Sequence, residues 1–581
     1  MPIKNIFTKR FILPFERASA SVVLSDAHSL LARLSLKKRI LFWSAFWVFV
    51  VSTLSILFYI HDEFKDEIPA YGGSFTEGII GRPGFINPVL ATSEVDKSLI
   101  MLIYSGLLRQ DTTGKLIPDI AESYTISEDG TLYTVTLKNG VTWHDGAPIT
   151  AEDVLYTINK IKDPTIRSPL ASSWEGVNVE MVDDKTITFR LGHAYALFPE
   201  NLTVGILPSH VWKNFSSEDF HNNLSNNEPV GSGPYEIDAI KRDGQGVAHE
   251  YELSAFKNFA LGTPYINKIR LEFYPNEEAL LGAFQNGDID SFGGASTEWV
   301  KTHGEIALIE YPLTRIFAVF FNQNKAKIFT HEEIREALSM TAGRARIIED
   351  VLNGFGTPIM GPIPPGSPGY KEYEDSMTPD IEGAEKLLLD NDWERDGATW
   401  SNGKDTLSFT IATANIEDFA QTAAILKQSW DALGSHVEVK LYELGDLNQQ
   451  VIRPRDYDAL LFGEIIGSNP DLFAFWHSSQ RLDPGLNIAL YVNNAADKFL
   501  EEARKATSKE ERTALYQEFQ DEMVKDFPAV FLYAPNYLYV APVGLQEKIG
   551  IPITNGSERF RNIYRWYIDT DAVWKFLNIT S

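Results

Sequence analysis

Three groupings of side chains in this sequence have the types and spacing for chemistry. His144 and Asp145, in Trp143-His144-Asp145-Gly146, set an imidazole beside a carboxylate. A zinc site draws on three or four protein ligands. One pair falls short, so His144 and Asp145 read as braces for a turn, with ligand contact as the other reading. Gly231-Ser232-Gly233 holds a serine between glycines but lacks the full G-x-S-x-G elbow of a hydrolase nucleophile. Asp288 and Asp290 are paired carboxylates, the equipment of glycoside hydrolysis. None of the 11 histidines forms H-E-x-x-H or a comparable i, i+4 pair. Cysteine is absent, which excludes disulfides, thiolate metal sites, cysteine nucleophiles and a lipidated N-terminal cysteine. The residues thus argue for a protein that is not an enzyme and has no cofactor of its own.

The elements around these residues can be read from periodicity. Tyr133, Val135 and Leu137 alternate with Thr134 and Thr136, the pattern of a half-buried strand. Asn139-Gly140 then suits a tight turn. Thr150 with Asp153 predicts a capped helix start, and Val154, Leu155, Ile158 and Ile161 give that helix an apolar face. Ile187-Phe189-Leu191 and Val437-Val439-Leu441 alternate like strands. Thr330 and Glu333 form a capping-box pattern before Ile334, Ala337 and Leu338. Ile416, Phe419, Ala423, Trp430 and Leu433 make a helical stripe that stops at Gly434, which reads as core and not as a cofactor box. Helices alternating with strands predict α/β lobes. With 581 residues, 44% of them hydrophobic, the chain exceeds what one core serves, so at least two lobes are expected.

Charge and hydropathy set the surroundings. The formal net charge is −27, which argues against nucleic acid, because a phosphate-binding face needs basic residues. A solvated acidic surface explains the charge better than cationic ligands do. Residues 40–60 are an uncharged, largely apolar run, about 30 Å long as a helix and enough to span a bilayer. Lys37-Lys38-Arg39 precedes it, and Asp62, Glu63, Asp66 and Glu67 follow. The basic side should stay cytoplasmic, which sends the bulk of the chain outside. A cleaved signal peptide is the alternative, but its apolar core is shorter and ends at a small-x-small site. The expectation is an uncleaved single-pass anchor at residues 40–60, after a cytoplasmic tail at 1–39 and before a tether at 61–70.

One stretch carries more than local physics. Trp143-His144-Asp145-Gly146-Ala147-Pro148-Ile149-Thr150-Ala151-Glu152-Asp153-Val154 resembles a signature of the family 5 extracellular solute-binding proteins. These are the peptide- and nickel-type receptors that feed ABC importers. Further resemblances follow in the family's order: PVGSGPYEI, KNFALGTPYINKIRLEFYP, GAFQNGDID and LNIALYVNNAADKFLEEARK. The resemblance as a whole runs over about residues 71–542. Since GDID belongs to that pattern, Asp288 and Asp290 read as part of the fold.

The resemblance implies a two-lobed, periplasmic-binding-protein-like (class II) α/β fold with an extra subdomain. Lobe I would combine residues 71–100, 229–312 and 528–581, the subdomain 101–228, and lobe II 313–527. The crossings near Tyr311-Pro312 and Phe527-Pro528 would form a hinge. The implied function is capture of a peptide-like solute outside the cytoplasm and delivery to an ABC permease and ATPase, by a monomer. A secreted hydrolase, or a sensor or holdase on the same scaffold, is the alternative. Missing metal motifs do not exclude a chelated metal as solute.

Dipeptide and oligopeptide members place an amine-binding aspartate a few residues before an acidic-Pro pair. Aligned on Pro470, that position falls on Ile466. Glu464 or Asp471 could substitute, although Asp471 could equally cap the helix that follows. Trp476 and His477 read as a pocket wall or as ordinary core. Arg315 could pair with a ligand carboxylate or with another element of the protein. Asn87 could contact ligand or form a turn before Pro88.

Overall fold

The computed structural model describes residues 35–63, 65–304, 306–373, 378–467, 470–506, 508–546 and 551–574. Contacts separate residues 1–68 with 570–581 from a main unit, residues 69–569. In the first unit an α-helix runs Leu36–Glu63, longer at both ends than the expected span. Its segment Leu36–Ile56 is long and apolar enough to cross a membrane by length and composition. Leu41, Trp47 and Phe49 on it are exposed. The strand Lys65–Pro69 pairs with Thr570–Trp574, so the segment expected as a plain tether is largely ordered. The expected cytoplasmic tail falls almost entirely outside the described residues.

The main unit is built on one long mixed sheet. Its order runs His436–Tyr442, Ser408–Ala414, Ala459–Ile465, Arg315–Phe321, Ala529–Val540, Ser291–Gly293, Gly72–Ile80, Ile266–Tyr274, Ala248–Ala255, Tyr235–Arg242. The strand Ala529–Val540 joins the halves. Ala529 to Tyr533 pair with Phe320 to Phe317, while Asn536 to Val540 pair with Pro312 to Leu308. The chain therefore crosses between halves at Pro312–Arg315 and again near Pro535. The return crossing was expected at Phe527-Pro528. It falls later, because the residues right after Pro528 still complete the ladder of Arg315–Phe321.

The sequence of Arg315–Phe321 has no alternation because both its faces are covered. Ile316, Ala318 and Phe320 enter one core; Val319 and Phe321 enter the other. The subdomain has its own four-stranded sheet: Ala121–Ile126, Leu132–Leu137, Thr186–Arg190 and Asn178–Met181. Its helix Ala151–Lys162 starts with the predicted capping box of Thr150 and Asp153. Trp143 and Ile158 of the subdomain share one hydrophobic cluster with Phe75 and Leu271 of lobe I. The four-stranded sheet and the long sheet thus share one core.

Two helix expectations fared differently. The stripe ending in Trp430 and Leu433 lies on Glu417–Leu433, closed by Gly434 at φ 101°, although Ile416 itself is exposed. The helix expected to be capped by Thr330 is Glu332–Met340, with His331 as its N-cap. Thr330 instead closes a preceding turn through its hydroxyl to the Lys327 carbonyl, 2.7 Å. Glu333 accepts from the Trp393 indole, 3.0 Å, so tertiary packing claims the residue that the box needs.

Candidate ligand cavity

The signature stretch itself holds structure together. Gly231 N–H donates to His144 Nδ1, 3.3 Å, and His144 Nε2 donates to the Gly233 carbonyl, 3.1 Å. That pattern requires a neutral ring, and burial drives its pKa down to about 4. Asp145 accepts from Ala147 N–H, 3.0 Å, and faces His210 at 2.8 Å. Gly231 and Gly233 let this loop lie against the end of the helix Glu94–Ile103. A Cβ on Gly231 would stand 1.9 Å from the Ile103 carbonyl oxygen. The imidazole, the carboxylate and the flanked serine of the sequence are therefore parts of one joint.

Three cavities of about 450, 670 and 930 Å³ meet around the short helix Phe198–Asn201. The first and third share Ser173 and Asn201; the first and second share Gln110 and Glu200. The second and third share Tyr195 and Lys505, which lie more than 300 residues apart in the chain. There the Ala196 N–H reaches the Arg504 carbonyl at 3.3 Å, bridging the two. Volumes of this size suit small-molecule and short-peptide ligands.

The first cavity is lined by polar groups from distant segments. Arg109 Nε donates to Asp119 Oδ2, 2.8 Å, and Arg109 Nη1 donates to the Arg561 carbonyl, 2.5 Å. Gln110 Nε2 donates to Glu200 Oε2, 2.8 Å. Arg561 pairs with Glu558, which also accepts from Thr554 N–H at 2.9 Å. Several buried atoms on this wall lack a protein partner: Tyr104 OH, Gln110 Oε1, Asp119 Oδ1 and Arg561 Nη1. Burial pushes the Tyr104 phenol far above its usual range, so it stays a donor.

The six residues singled out in the sequence are scattered. Asn87 is buried; its amide donates to Asn226 Oδ1 and its oxygen accepts from Val89 N–H, both 2.9 Å. Arg315 Nη2 reaches the Thr554 carbonyl at 3.4 Å, beside the first cavity, while its Nε is buried without a partner. Burial pushes that guanidinium down, and nearby Glu94 opposes the shift. Glu464 is 5% exposed, and neither carboxyl oxygen has a partner; burial holds it well above the usual carboxylate range. Asp471 lines the third cavity and forms a two-pronged pair with Arg504, at 2.9 and 2.6 Å. Arg504 lies 3.7 Å over the Phe473 ring, and His477 stacks on Phe473 at 3.9 Å. Trp476 packs between Phe320 and Phe531 at 5.9 and 5.7 Å.

Asp471 and His477 come together through Phe473 and Arg504, and Arg315 and Glu464 lie on paired strands at neighbouring positions. Arg109, Gln110, Asp119, Glu200 and Arg561 escaped the sequence reading. The Asp111-Thr112-Thr113-Gly114 turn joins two short paired strands, Leu108–Gln110 and Leu116–Pro118, which sets Arg109 against Asp119. That hairpin was a usable signal. Glu200 and Arg561 arrive from far along the chain and leave none. Ser468 and Asn469, within the segment aligned for amine binding, lie outside the described residues.

One long mixed α/β sheet with helices on it, and cavities walled by segments from far apart in the chain, is the architecture of the periplasmic-type solute-binding proteins. The profile of bacterial extracellular solute-binding proteins, family 5 (middle region), matches residues 115–482, and the chain belongs to that family. The oligopeptide-binding protein AppA of Bacillus subtilis is 28% identical over 86% of this chain and 92% of its own. The structure of that AppA with a nonapeptide is 26% identical, with a TM-score of 0.62 over 86% of this chain and all of its own. The ABC transporter substrate-binding protein CtaP of Listeria monocytogenes is also 26% identical, with a TM-score of 0.71 over 86% and 99%.

Proposed function

We propose that this protein is a membrane-anchored receptor that captures a peptide-like solute outside the cytoplasm and presents it to an ABC permease and its ATPase. The observation that carries the reading is the partly enclosed cavity system, largely apolar with a few polar groups, between subdomain, lobe I and lobe II, in a chain of the family 5 type. The relative bound to a nonapeptide supports a peptide as the solute class. Capture needs no turnover, and no reaction is assigned to any residue. The lobes close as a hinge at Pro312–Arg315 and near Pro535, where few backbone positions carry the crossing. Asp471 and His477 contact solute from lobe II, and Arg315 from the crossing. The helix Leu36–Glu63 acts as an uncleaved anchor, supported by its length and its basic leading residues. The receptor works as a monomer.

Native mass spectrometry of the purified full-length chain, released into the gas phase under gentle and then denaturing conditions, tests the solute class. The expected result is co-purified peptide that is lost on unfolding. A chain that stays empty and retains none of a broad peptide pool would rule peptides out.

A further inference from the structure

We propose that the loop 480–487 is a lipid-contact site, through which the folded body rests on the anionic surface of the membrane that holds the anchor. This goes beyond solute capture and rests on the anchor in the reading above. Leu482 on the loop is 79% exposed, Leu486 48%, and Val492 just after it 53%. Single exposed apolar side chains are ordinary on a soluble surface. Three so close in sequence form a patch that calls for a partner.

The loop is built to hold these leucines out. Asn487 is fully buried, and its amide nitrogen lies 3.1, 3.2 and 3.1 Å from the carbonyl oxygens of Trp476, His477 and Tyr491. Its oxygen accepts from Tyr491 N–H at 3.1 Å. Arg455 reaches in from another turn, donating from Nε to the Arg481 carbonyl at 3.2 Å and from Nη2 to the Gly485 carbonyl at 2.6 Å. Asn487 N–H closes the loop on the Gln480 carbonyl at 3.0 Å, and Gly485 N–H bonds the Leu482 carbonyl at 2.7 Å. A Cβ on Gly485 would stand 2.2 Å from the Gln480 carbonyl oxygen, so the turn is tightly packed. With this backbone already ordered, seating the leucines in lipid costs no further loop ordering.

Charge decides what the patch faces. The whole chain carries −27, which by itself repels an anionic bilayer. Around the loop the sign reverses. Arg453, Arg455 and Arg481 stand against Asp483, since Asp456 is taken by Lys325 at 2.6 Å. Leucine beside arginine matches the boundary between acyl chains and phosphate headgroups. Arg455 precedes the strand Ala459–Ile465, whose other end pairs with Arg315 at the crossing. Lipid at the loop therefore leaves the crossing free to move. A few apolar side chains would not hold a free chain on a bilayer. For a chain already tethered by a helix the contact is intramolecular, and a weak one is enough to set orientation.

The chain has no cysteine, so Leu482→Cys creates a single labelling point for an environment-sensitive dye. The full chain is reconstituted in vesicles of phosphatidylglycerol and phosphatidylethanolamine doped with nitroxide lipid. The reference is the same dye on Val182→Cys, a 63% exposed position next to the strand Asn178–Met181. Quenching at Leu482→Cys should be about twofold or more that at Val182→Cys, and should fall in phosphatidylcholine alone. Adding Leu486→Asp, or Arg453→Gln with Arg481→Gln, should lower it while the melting temperature holds. Equal quenching at the two positions overturns the proposal. So does a dye response that appears only once the ABC permease is co-reconstituted, which would make the partner a protein. If the chain fails to float with the vesicles in a density gradient, the helix is no anchor, and that reading falls together with this one.

Discussion

His144 connects two loops through both ring nitrogens, which only the neutral ring can do with an N–H pointing at Nδ1. Its folded pKa of about 4 lies below the ordinary 6.5. Between those values the unfolded chain binds more protons than the folded one, so stability is full above 6.5 and falls as pH drops toward 4. A loss of about 3 kcal/mol is expected over that window, measured as urea midpoints. His144→Gln should flatten that limb; an unchanged slope would mean another group titrates there. Glu464 has the opposite sign. Its folded pKa is raised, so the folded chain keeps a proton that the unfolded chain releases above the ordinary 4.5. Stability then falls as pH rises past 4.5, by at most about 1.4 kcal/mol per pH unit. Glu464→Gln should remove that slope and raise the denaturation midpoint at pH 7 relative to the parent. A midpoint that drops at pH 7 would show that the carboxylate is charged and useful.

Among the elements, the subdomain helix Ala151–Lys162 and the loop of Gly231 do the positioning. Asp153 serves two masters: Oδ2 accepts from Thr150 N–H at 2.8 Å and Oδ1 from Ser209 N–H at 2.7 Å. Thr150→Ala breaks only half of the box, and a loss of about 1 kcal/mol is expected in chemical unfolding. Asp153→Ala uncouples both contacts and should cost clearly more than Thr150→Ala. Equal costs would show that the Ser209 contact contributes nothing. Gly231→Ala forces a methyl group into the Ile103 carbonyl, against backbone that cannot yield as a side chain could. A loss of about 3 kcal/mol or failure to fold is expected, seen as a large drop in melting temperature.

On the scale of the whole molecule, two crossings and one anchor make the testable geometry. Closure about Pro312–Arg315 and Pro535 should shrink the radius of gyration when a retained peptide is added back to stripped protein. X-ray scattering reads this directly, and an unchanged radius at verified saturation would count against hinge motion. For the anchor, protease added to intact spheroplasts should digest the bulk and spare the residues before the helix. A soluble form with a new N-terminus beyond Ile60 would show that the segment is a cleaved signal.

Some of this was legible in the residues alone. The strand Leu132–Leu137, the box at Thr150 and the stripe to Trp430 depend on contacts within a few residues, where period and capping suffice. The long run WHDGAPITAEDV pointed to the family because so many adjacent positions had to agree. Tertiary structure decided the rest. The return crossing moved from Pro528 to Pro535 because strand register depends on a partner more than 200 residues away. Thr330 lost its cap because Glu333 found Trp393. Asp471 became half of an ion pair because the fold brought Arg504 to it, and burial on its strand pushed the Glu464 carboxyl above the usual carboxylate range. Gln110, Asp119, Glu200 and Arg561 became one wall only on folding. Local sequence specifies what a segment can form, whereas a cavity depends on which segments meet.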